Sequence, residues 1–545
     1  MSRASGPGIE AHGLIGDQRT AALVAADGAI DWCCVPRFDG DIVFGSLLDR
    51  ARGGCWRLGP QEPVQGAQCY VGDTAVLETR WSQQEGELQL LDVMVSQSPA
   101  LRSLPSTTIV RKLRCTKGVG RCAMCLEPRL NFSGPVRVRA DAGTPAASAP
   151  ADAVLWTSRA GLAEAVVQSG ACTFMLREGE EFWAVFTWGA DRTPWSVQQA
   201  QAAMDESRSA WQKWARLHPW LGPQRAAVLG SQRAIRLLSL AETGSQVAAP
   251  TTSLPERIGG DRNYDYRFAW VRDSSLALAT MAVFGDLEAA RRYMDWLAAR
   301  PAGARMPLQV LYRIDGGTDA TERELQDVEG YRGSRPVRVG NHAADQLQLD
   351  SLGYLADCVH IYLQQGGAWR PEYSRLVEGL ADFTVANWRR RDHGIWELDQ
   401  ERHYVSSKVM AWVVLERAGR IRSHLQEPVP VHWSQTREAI HAEVMQHGWS
   451  ESAQSFRQHY DADDLDASVL LASLMEFLPG DHPRMLATIA AVQKHLQRDG
   501  FVWRFHPSSL GHGEMPLDGL EASFVPCSFW LASALARAGR ADEAR

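Results

Sequence analysis

The strongest constraint on the fold is the helical periodicity that fills the chain after Gly222. Ten stretches there have apolar residues at three- and four-residue spacing, which predicts amphipathic helices. They are 222–243, 268–284, 286–300, 341–363, 372–390, 404–420, 435–447, 464–477, 483–498 and 524–539. Successive helical hairpins with long loops at one end are typical of a toroidal α/α barrel that carries its function on the loops. A closed barrel of six hairpins needs twelve helices, so this count is two helices short.

The first third of the chain has a different pattern. Between residues 14 and 190, short and partly alternating apolar segments are separated by clusters of Gly, Pro, Asp and Ser, which predicts an antiparallel β-sandwich. From Ser196 to Leu217 the pattern becomes helical and predicts a linker helix. The predicted domains are an N-terminal β-sandwich at 1–192, a helical linker at 193–221, and an α/α barrel at 222–545 that lacks its last two helices.

Charge and hydropathy exclude several classes of partner. Lys and Arg number 57 and Asp and Glu 64, a net charge of −7, so neither nucleic acid nor an anionic membrane is an expected partner. The longest apolar run, Val409–Leu415, is far shorter than the roughly 20 residues that a bilayer helix needs. The N-terminus has no apolar segment of the secretory kind, so we expect a cytoplasmic protein. No pattern in the sequence indicates an oligomeric state.

No motif indicates a cofactor or a metal. The sequence contains no GxxxxGK[ST] loop, no GxGxxG after a strand and no HExxH. Cys122 and Cys125 have the spacing of a metal-ligand pair, but no second pair of ligands lies near them in the sequence. The cysteines are predicted to be reduced and largely apolar strand residues. We therefore expect no cofactor and no metal site.

The sharpest candidate for chemistry is Glu397, which ends the segment RDHGIWE at 391–397. The neighbouring Ile395 and Trp396 can withdraw a carboxyl from water, as a general acid at neutral pH requires. A surface glutamate beside a helix is the alternative interpretation of the same residues.

Trp270, Arg272 and Asp273 form a second constellation, at the end of a loop dense in charges and aromatics. The arginine fork donates and the carboxylate accepts, so the pair can bind several hydroxyls of one sugar. An indole offers a flat apolar face that suits stacking on a sugar ring, and the chain has 20 Trp against 11 Tyr and 15 Phe. An ion pair at a helix start explains Arg272 and Asp273 equally well.

Two further groups of residues are candidates for ligand binding. Arg332, Arg335 and Arg338 recur every three residues among glycines, which suits either an anion site or a solvated basic loop. Arg504 lies in the loop segment FVWRFHP, and Glu521 opens the last helical stretch, where the helix dipole favours a carboxylate. A purely structural acid at a helix start is the alternative for Glu521.

Several long segments together resemble bacterial members of glycoside hydrolase family 15, the glucoamylase and trehalase family. The resemblance runs from about Leu14 to the C-terminus. Its segments are IGDQRTAALVAADGAIDWCCVPRFD (15–39), VAAPTTSLPE (247–256), GGDRNYDYRFAWVRDSSLALAT (259–280), EGYRGSRPVRVGNHAADQLQLD (329–350), GIWE (394–397), SKVMAWVVLERA (407–418) and CSFWLASALA (527–536). It implies a β-sandwich joined by a helical linker to a six-hairpin α/α barrel, and inverting exo-hydrolysis of α-glucosidic bonds.

The resemblance also implies roles for the candidate residues. Glu397 matches the family's general acid, and Arg272 and Asp273 match the pair that holds the non-reducing glucose. Glu521 lies where the family often has an EGTF motif, which makes it a candidate second carboxylate. The predicted substrate-binding residues are Trp270, Arg272, Asp273, Arg332, Arg335, Trp396 and Arg504.

One departure from the family concerns the general base. In the family it lies in a glutamate motif after the CSFWL helix, and this sequence ends at Arg545, just beyond that helix. Because an inverting hydrolase needs two carboxyls about 6.5–9.5 Å apart, the departure implies a truncated chain, Glu521 as a substitute, or a chain without hydrolytic activity.

The sequence thus predicts an inverting exo-acting α-glucoside hydrolase that releases glucose from trehalose or short malto-oligosaccharides. Its expected partner is a small carbohydrate substrate. The alternative, motivated by the missing base, is a non-hydrolytic carbohydrate-binding or regulatory protein on the same scaffold.

Overall fold

The computed structural model describes residues 7–95, 106–141, 152–189, 195–300, 306–505 and 523–545. The chain divides into two compact units. The first comprises Met1–Phe268 with Glu322–Gly340, and the second Ala269–Thr321 with Asn341–Arg545. Residues 195–268 therefore pack with the sheet-rich part, whereas the predicted boundaries assign them to the linker and the start of the barrel. The three-domain division itself stays a prediction.

In the first unit, fourteen strands of the described residues join in one sheet. They are β1 His12–Gly16, β2 Ala21–Ala25, β3 Ala29–Val35, β4 Asp41–Phe44, β5 Gly54–Pro60, β6 Ala67–Tyr70, β7 Leu77–Ser82, β8 Gly86–Met94, β9 Thr107–Leu130, β10 Gly134–Pro135, β11 Val138–Ala140, β12 Ala153–Thr157, β13 Ala171–Arg177 and β14 Glu181–Trp188. These strands pair antiparallel, except that β11 and β12 are parallel.

The long strand β9 belongs to two layers at once. Its first half pairs with β8 and β14, and its second half pairs with β5 and β13. Alternate side chains from both groups of strands meet in one apolar cluster that includes Trp56, Leu88, Leu113, Met124 and Phe182. The predicted antiparallel, sheet-rich N-terminal part is confirmed.

The described part of the first unit contains three α-helices, α1 Leu162–Ser169, α2 Val197–Leu217 and α3 Arg225–Leu237. The predicted linker helix is α2, and it begins where expected because the Ser196 side chain accepts a hydrogen bond from the Gln199 N–H and so caps the first turn. Trp211 and Trp214 lie on its buried face.

The helices of the second unit, within the described residues, are α4 Val271–Val283, α5 Leu287–Ala298, α6 Asp350–Gln364, α7 Pro371–Asn387, α8 Val405–His424, α9 Val431–His447, α10 Leu471–Leu474, α11 Pro483–His495, α12 Val525–Arg537 and α13 Ala541–Ala544. Helices α4, α6 and α8 pack side by side, and α5, α7 and α9 form a second layer against them. Helices α6 and α8 are buried on nearly all sides, while α9 buries one narrow stripe. These are the helical hairpins of an α/α toroid, as predicted.

Each of the ten predicted helical stretches contains a helix, and in three of them the α-helix is much shorter than predicted. The stretch predicted at 222–243 holds α3 only at Arg225–Leu237. The stretch predicted at 341–363 begins its α-helix only at Asp350, after a 3-10 turn at His342–Asp345. The stretch predicted at 464–477 is a 3-10 turn at Ala467–Leu470 followed by the short α10. Short two-residue strands pair Ala269–Trp270 with Leu311–Tyr312 and Arg323–Glu324 with Arg338–Val339. None of the helices in the described ranges has the length and apolarity needed to cross a bilayer.

Candidate active site

The loop that carries Glu397 is closed at its base and strained at its tip. Asp392 and Arg402 exchange two backbone hydrogen bonds, at 3.0 and 2.8 Å, so the loop leaves α7 and returns directly to α8. Gly394 has a φ of 66°, and a Cβ there would lie 2.8 Å from the ring of Tyr404. Glu397 has a φ of 58°, a left-handed conformation that costs a non-glycine residue about 1–3 kcal/mol. Strain of this kind, held at a carboxylate, is typical of functional sites.

The Glu397 carboxyl accepts three hydrogen bonds, all on one oxygen. Trp270 Nε1 donates to Oε1 at 2.8 Å, Arg272 Nη2 at 2.9 Å and Gln348 Nε2 at 3.1 Å. The side chain keeps 23% of its surface exposed, and no residue in the described part of the chain donates to Oε2. Because Oε1 is occupied by donors, Oε2 is the oxygen that is able to carry a proton and deliver it to a ligand.

Arg272 is surrounded by carboxylates. Its Nε lies 3.7 Å from Asp273 Oδ2, its Nη1 lies 3.6 Å from Asp350 Oδ2, and its Nη2 binds Glu397. Burial alone would lower the pKa of Arg272, but Asp273, Glu397 and Asp350 outweigh that effect and raise it. The guanidinium therefore stays charged. Burial raises the pKa of Asp273, and Glu397 adds to the rise while Arg272 opposes it.

The N-terminal ends of three helices hold this cluster. Asp273 lies in the first turn of α4, Asp350 is the first residue of α6, and Ser407 lies in the first turn of α8. The unpaired N–H groups of a first helical turn carry partial positive charge, which favours nearby carboxylates. Asp392 Oδ2 accepts from Ser407 Oγ at 2.7 Å and from the Leu349 N–H at 3.0 Å, so the acid-bearing loop is tied to both α6 and α8.

Trp396 is held in place by one hydrogen bond and by packing against three aromatic side chains. Its Nε1 donates to the buried Asp466 Oδ2 at 2.8 Å. Its ring packs against Phe505, Phe524 and Trp530, with ring centroids 5.9–6.3 Å apart. These contacts hold Trp396 in place, so the residue that immediately precedes Glu397 in the chain is anchored.

Arg504 lies against Trp396 and two of the aromatic side chains that pack on it. Its guanidinium carbon is 5.7 Å from the centroid of the Trp396 ring and 5.9 Å from those of Phe505 and Phe524. These are cation–π distances. The structure therefore brings Trp270 and Arg272 to the Glu397 carboxyl, with Asp273 beside Arg272, and it places Arg504 against the neighbouring Trp396. The roles of these residues toward a sugar stay predictions.

Gln348 is a site residue that the sequence analysis did not single out. It is fully buried, and its amide bridges the two central groups: Nε2 donates to Glu397, and Oε1 accepts from Arg272 Nη1 at 2.9 Å. Gln346 accepts from Gln348 Nε2 at 2.9 Å and donates to the Glu397 backbone carbonyl at 3.1 Å. The signal for both residues in the sequence is the alternation of glutamine and leucine in QLQLD, just before α6.

The remaining predicted residues are Arg332, Arg335 and Glu521. Arg332 and Arg335 belong to the first unit and are exposed there, Arg332 lying over the Tyr331 ring at 5.3 Å and Arg335 donating to the Glu329 carbonyl at 3.4 Å. Glu521 lies outside the described residues. Within the described ranges, no cluster of three or more His, Cys, Asp and Glu is arranged to hold a metal ion.

Comparison with known proteins gives consistent matches. The model of glycosyl hydrolases family 15 matches residues 222–544, and that of the trehalase-like N-terminal region matches residues 1–159. A trehalase of Mycolicibacterium smegmatis is 32% identical, covering 99% of this chain and 84% of its own. A trehalase of Mycobacterium tuberculosis is 31% identical, covering 99% and 83%.

Solved structures give more distant matches. A glycosidase variant in complex with glucose is 21% identical, covering 61% of this chain and 82% of its own, with a TM-score of 0.47. A glucoamylase from Hypocrea jecorina is 14% identical, covering 60% and 56%, with a TM-score of 0.42.

The family model covers more than half of the chain, and a relative 32% identical spans nearly all of it. The protein is a glycoside hydrolase. It belongs to family 15 of the glycosyl hydrolases, the family that its sequence segments resemble.

Proposed function

We propose that this glycoside hydrolase cleaves trehalose with inversion, and that Glu397 is its general acid. The observation that carries the proposal is the Glu397 carboxyl, whose Oε1 accepts from Trp270, Arg272 and Gln348 and whose Oε2 is left to protonate a ligand. The substrate is suggested by the named relatives, which are trehalases, and by the trehalase-like N-terminal region. Short malto-oligosaccharides are the competing substrate class.

The reaction has two coupled proton transfers. Glu397 Oε2 gives its proton to the glycosidic oxygen while the bond from that oxygen to the anomeric carbon breaks. A water attacks the same carbon from the opposite face and gives its proton to a second carboxylate. The carboxyl becomes anionic during this step, and the Arg272 charge at 2.9 Å stabilises the anion that forms. Glu521 is the candidate second carboxylate named from the sequence.

The residues around the acid are proposed to hold the terminal glucose. Asp273 keeps 44% of its side chain exposed, so one of its oxygens is able to accept from a sugar hydroxyl. Arg504 over Trp396 presents donors beside an aromatic face, a combination that suits a sugar ring. Arg332 and Arg335 stay predicted substrate-binding residues. A cytoplasmic location and the absence of cofactor, nucleic-acid and membrane partners likewise stay predictions.

Proton NMR of the first minutes of trehalose hydrolysis tests the stereochemistry. Both anomeric carbons of α,α-trehalose are α, and only one carbon–oxygen bond breaks. Inversion therefore yields one β-glucose from the attacked ring and one α-glucose from the leaving ring. We expect equal α and β anomers before mutarotation, and faster glucose release from trehalose than from maltose.

The control for this experiment is the Glu397→Gln protein under the same conditions. Two α-glucose molecules from each trehalose would contradict inversion, and faster release from maltose would contradict the substrate. Calorimetric binding of trehalose with no release of glucose would replace the proposed hydrolase activity by the non-hydrolytic alternative.

A further inference from the structure

Asp350 is a buried acid that lacks the hydrogen bonds that normally compensate the burial of a carboxyl group. It is fully buried as the first residue of α6, and neither carboxyl oxygen has a hydrogen-bond donor in good geometry among the described residues. Burying a carboxylate without donors costs free energy, so the position of Asp350 in this cluster needs a physical explanation. Among the described residues, the cation that pairs with Asp350 is Arg272, whose Nη1 is 3.6 Å from Oδ2 and therefore just beyond hydrogen-bond reach.

Asp350 and Glu397 compete for that single guanidinium. Arg272 Nη2 binds Glu397 at 2.9 Å, while Nη1 is turned to Gln348 and Asp350. Gln348 fixes this arrangement, because its amide binds both Arg272 and Glu397. When Asp350 is ionised it draws on the Arg272 charge and repels a negative charge on Glu397.

The groups facing Asp350 come from every element around it. On α4 are Arg272 and Asp273, on the loop before α8 are Asp392 and Glu397, on α8 is Lys408 beside Asp392, and on α6 itself is Tyr354. The carboxyl groups of this cluster are Asp273, Asp350, Asp392 and Glu397, of which Asp350 and Asp392 are fully buried, and its cations are Arg272 and Lys408. Because the carboxyls outnumber the cations, the charge of each member of the cluster depends on the charges of the others.

We propose that Asp350 is a positioning residue that keeps the catalytic proton on Glu397 by sharing the charge of Arg272. The proposal rests on the proposed function, since it assumes that Glu397 is the general acid. Burial, opposed by Arg272 and assisted by Glu397, raises the pKa of Asp350 to about 6. Asp350 is therefore ionised at neutral pH and alkaline pH, where a general acid is at risk of losing its proton.

The test is the pH profile of kcat/KM on trehalose for the full chain and for Asp350→Asn. The variant keeps the size of the side chain and removes its charge, so Arg272 acts on Glu397 alone. We expect the alkaline limb to move to lower pH by about one unit, the shift that one nearby charge produces. The plateau at acid pH should stay within a few-fold of the wild type. Hydrolysis of α-glucosyl fluoride, whose leaving group needs no proton, should keep its alkaline limb.

Asp357→Asn is the matched control. Asp357 lies further along α6 and is paired with Arg417 at 2.7 Å, away from the acid-bearing loop. We expect its pH profile to coincide with the wild type. A shift of equal size in Asp357→Asn would reduce the effect to a general disturbance of α6 and overturn the proposal.

The outcomes separate this inference from the proposed function. If Glu397→Gln is inactive and Asp350→Asn keeps the wild-type alkaline limb, the role of Asp350 is wrong and the function stands. If Glu397→Gln keeps full activity, the proposed function itself fails. If Asp350→Asn does not fold, the test is infrared spectroscopy of the wild-type protein labelled with ¹³C-glutamate. The proposal then requires a protonated glutamate band at the activity optimum that Glu397→Gln lacks, and absence of that band overturns it.

Discussion

Replacing Glu397 by glutamine lowers kcat on trehalose by about 10²–10⁴-fold, the contribution expected of a positioned general acid. Glutamine has the same shape and keeps a carbonyl oxygen for the three donors from Trp270, Arg272 and Gln348. The melting temperature should therefore stay close to that of the wild type. Steady-state kinetics on trehalose and differential scanning fluorimetry measure the two quantities.

A second substrate shows whether the loss is a loss of proton donation. On α-glucosyl fluoride, where fluoride departs without a proton, the same variant should lose less than about 10-fold. Glu401→Gln, a change to an exposed glutamate of the same loop, is the control and should keep wild-type rates on both substrates. An equal loss on trehalose and on the fluoride would show that Glu397 acts in another way than as an acid.

The helices after Gly222 were predictable because their apolar spacing is long and regular, and each of the ten predicted stretches contains a helix. The error at 341–363 has a functional cause. Its first residues match helical periodicity, but Gln346 and Gln348 use their side chains on the Glu397 loop, and the α-helix begins only at Asp350. Local periodicity does not reveal this use of the two side chains, because their partners lie about fifty positions away in the sequence.

The sequence predicts only part of the candidate site, because the rest depends on contacts between distant segments. The pairing of a carboxylate with an indole in GIWE and the adjacent Arg272 and Asp273 are visible in the sequence. Their convergence on one oxygen of Glu397 depends on how α4, α6 and the loop before α8 pack. Asp350 gave no signal at all, since it stands at the head of an apolar helix as an ordinary N-terminal acid does.

The first unit contains a buried charged pair that the alternating apolar pattern of its strands does not predict. Arg111 on β9 and Asp92 on β8 are direct cross-strand partners, and both side chains are fully buried. Arg111 Nε and Nη2 donate to the two Asp92 oxygens at 2.7 and 3.2 Å, and the guanidinium also donates to the carbonyls of Trp56 and Gly28. Each of the three guanidinium nitrogens therefore has an acceptor inside the sandwich core.

Replacing Arg111 by methionine is expected to destabilise the chain by about 3–5 kcal/mol, because Asp92 is then a buried charge without a partner. The double variant Arg111→Met with Asp92→Leu removes that charge as well and should recover a large part of the loss. Arg114→Met, on an exposed position of the same strand, should change stability by less than about 0.5 kcal/mol. Urea unfolding followed by circular dichroism measures all three. If Arg111→Met unfolds at the urea concentration of the wild type, the pair does not hold the two layers of the sandwich together, and apolar packing around Trp56 alone accounts for their contact.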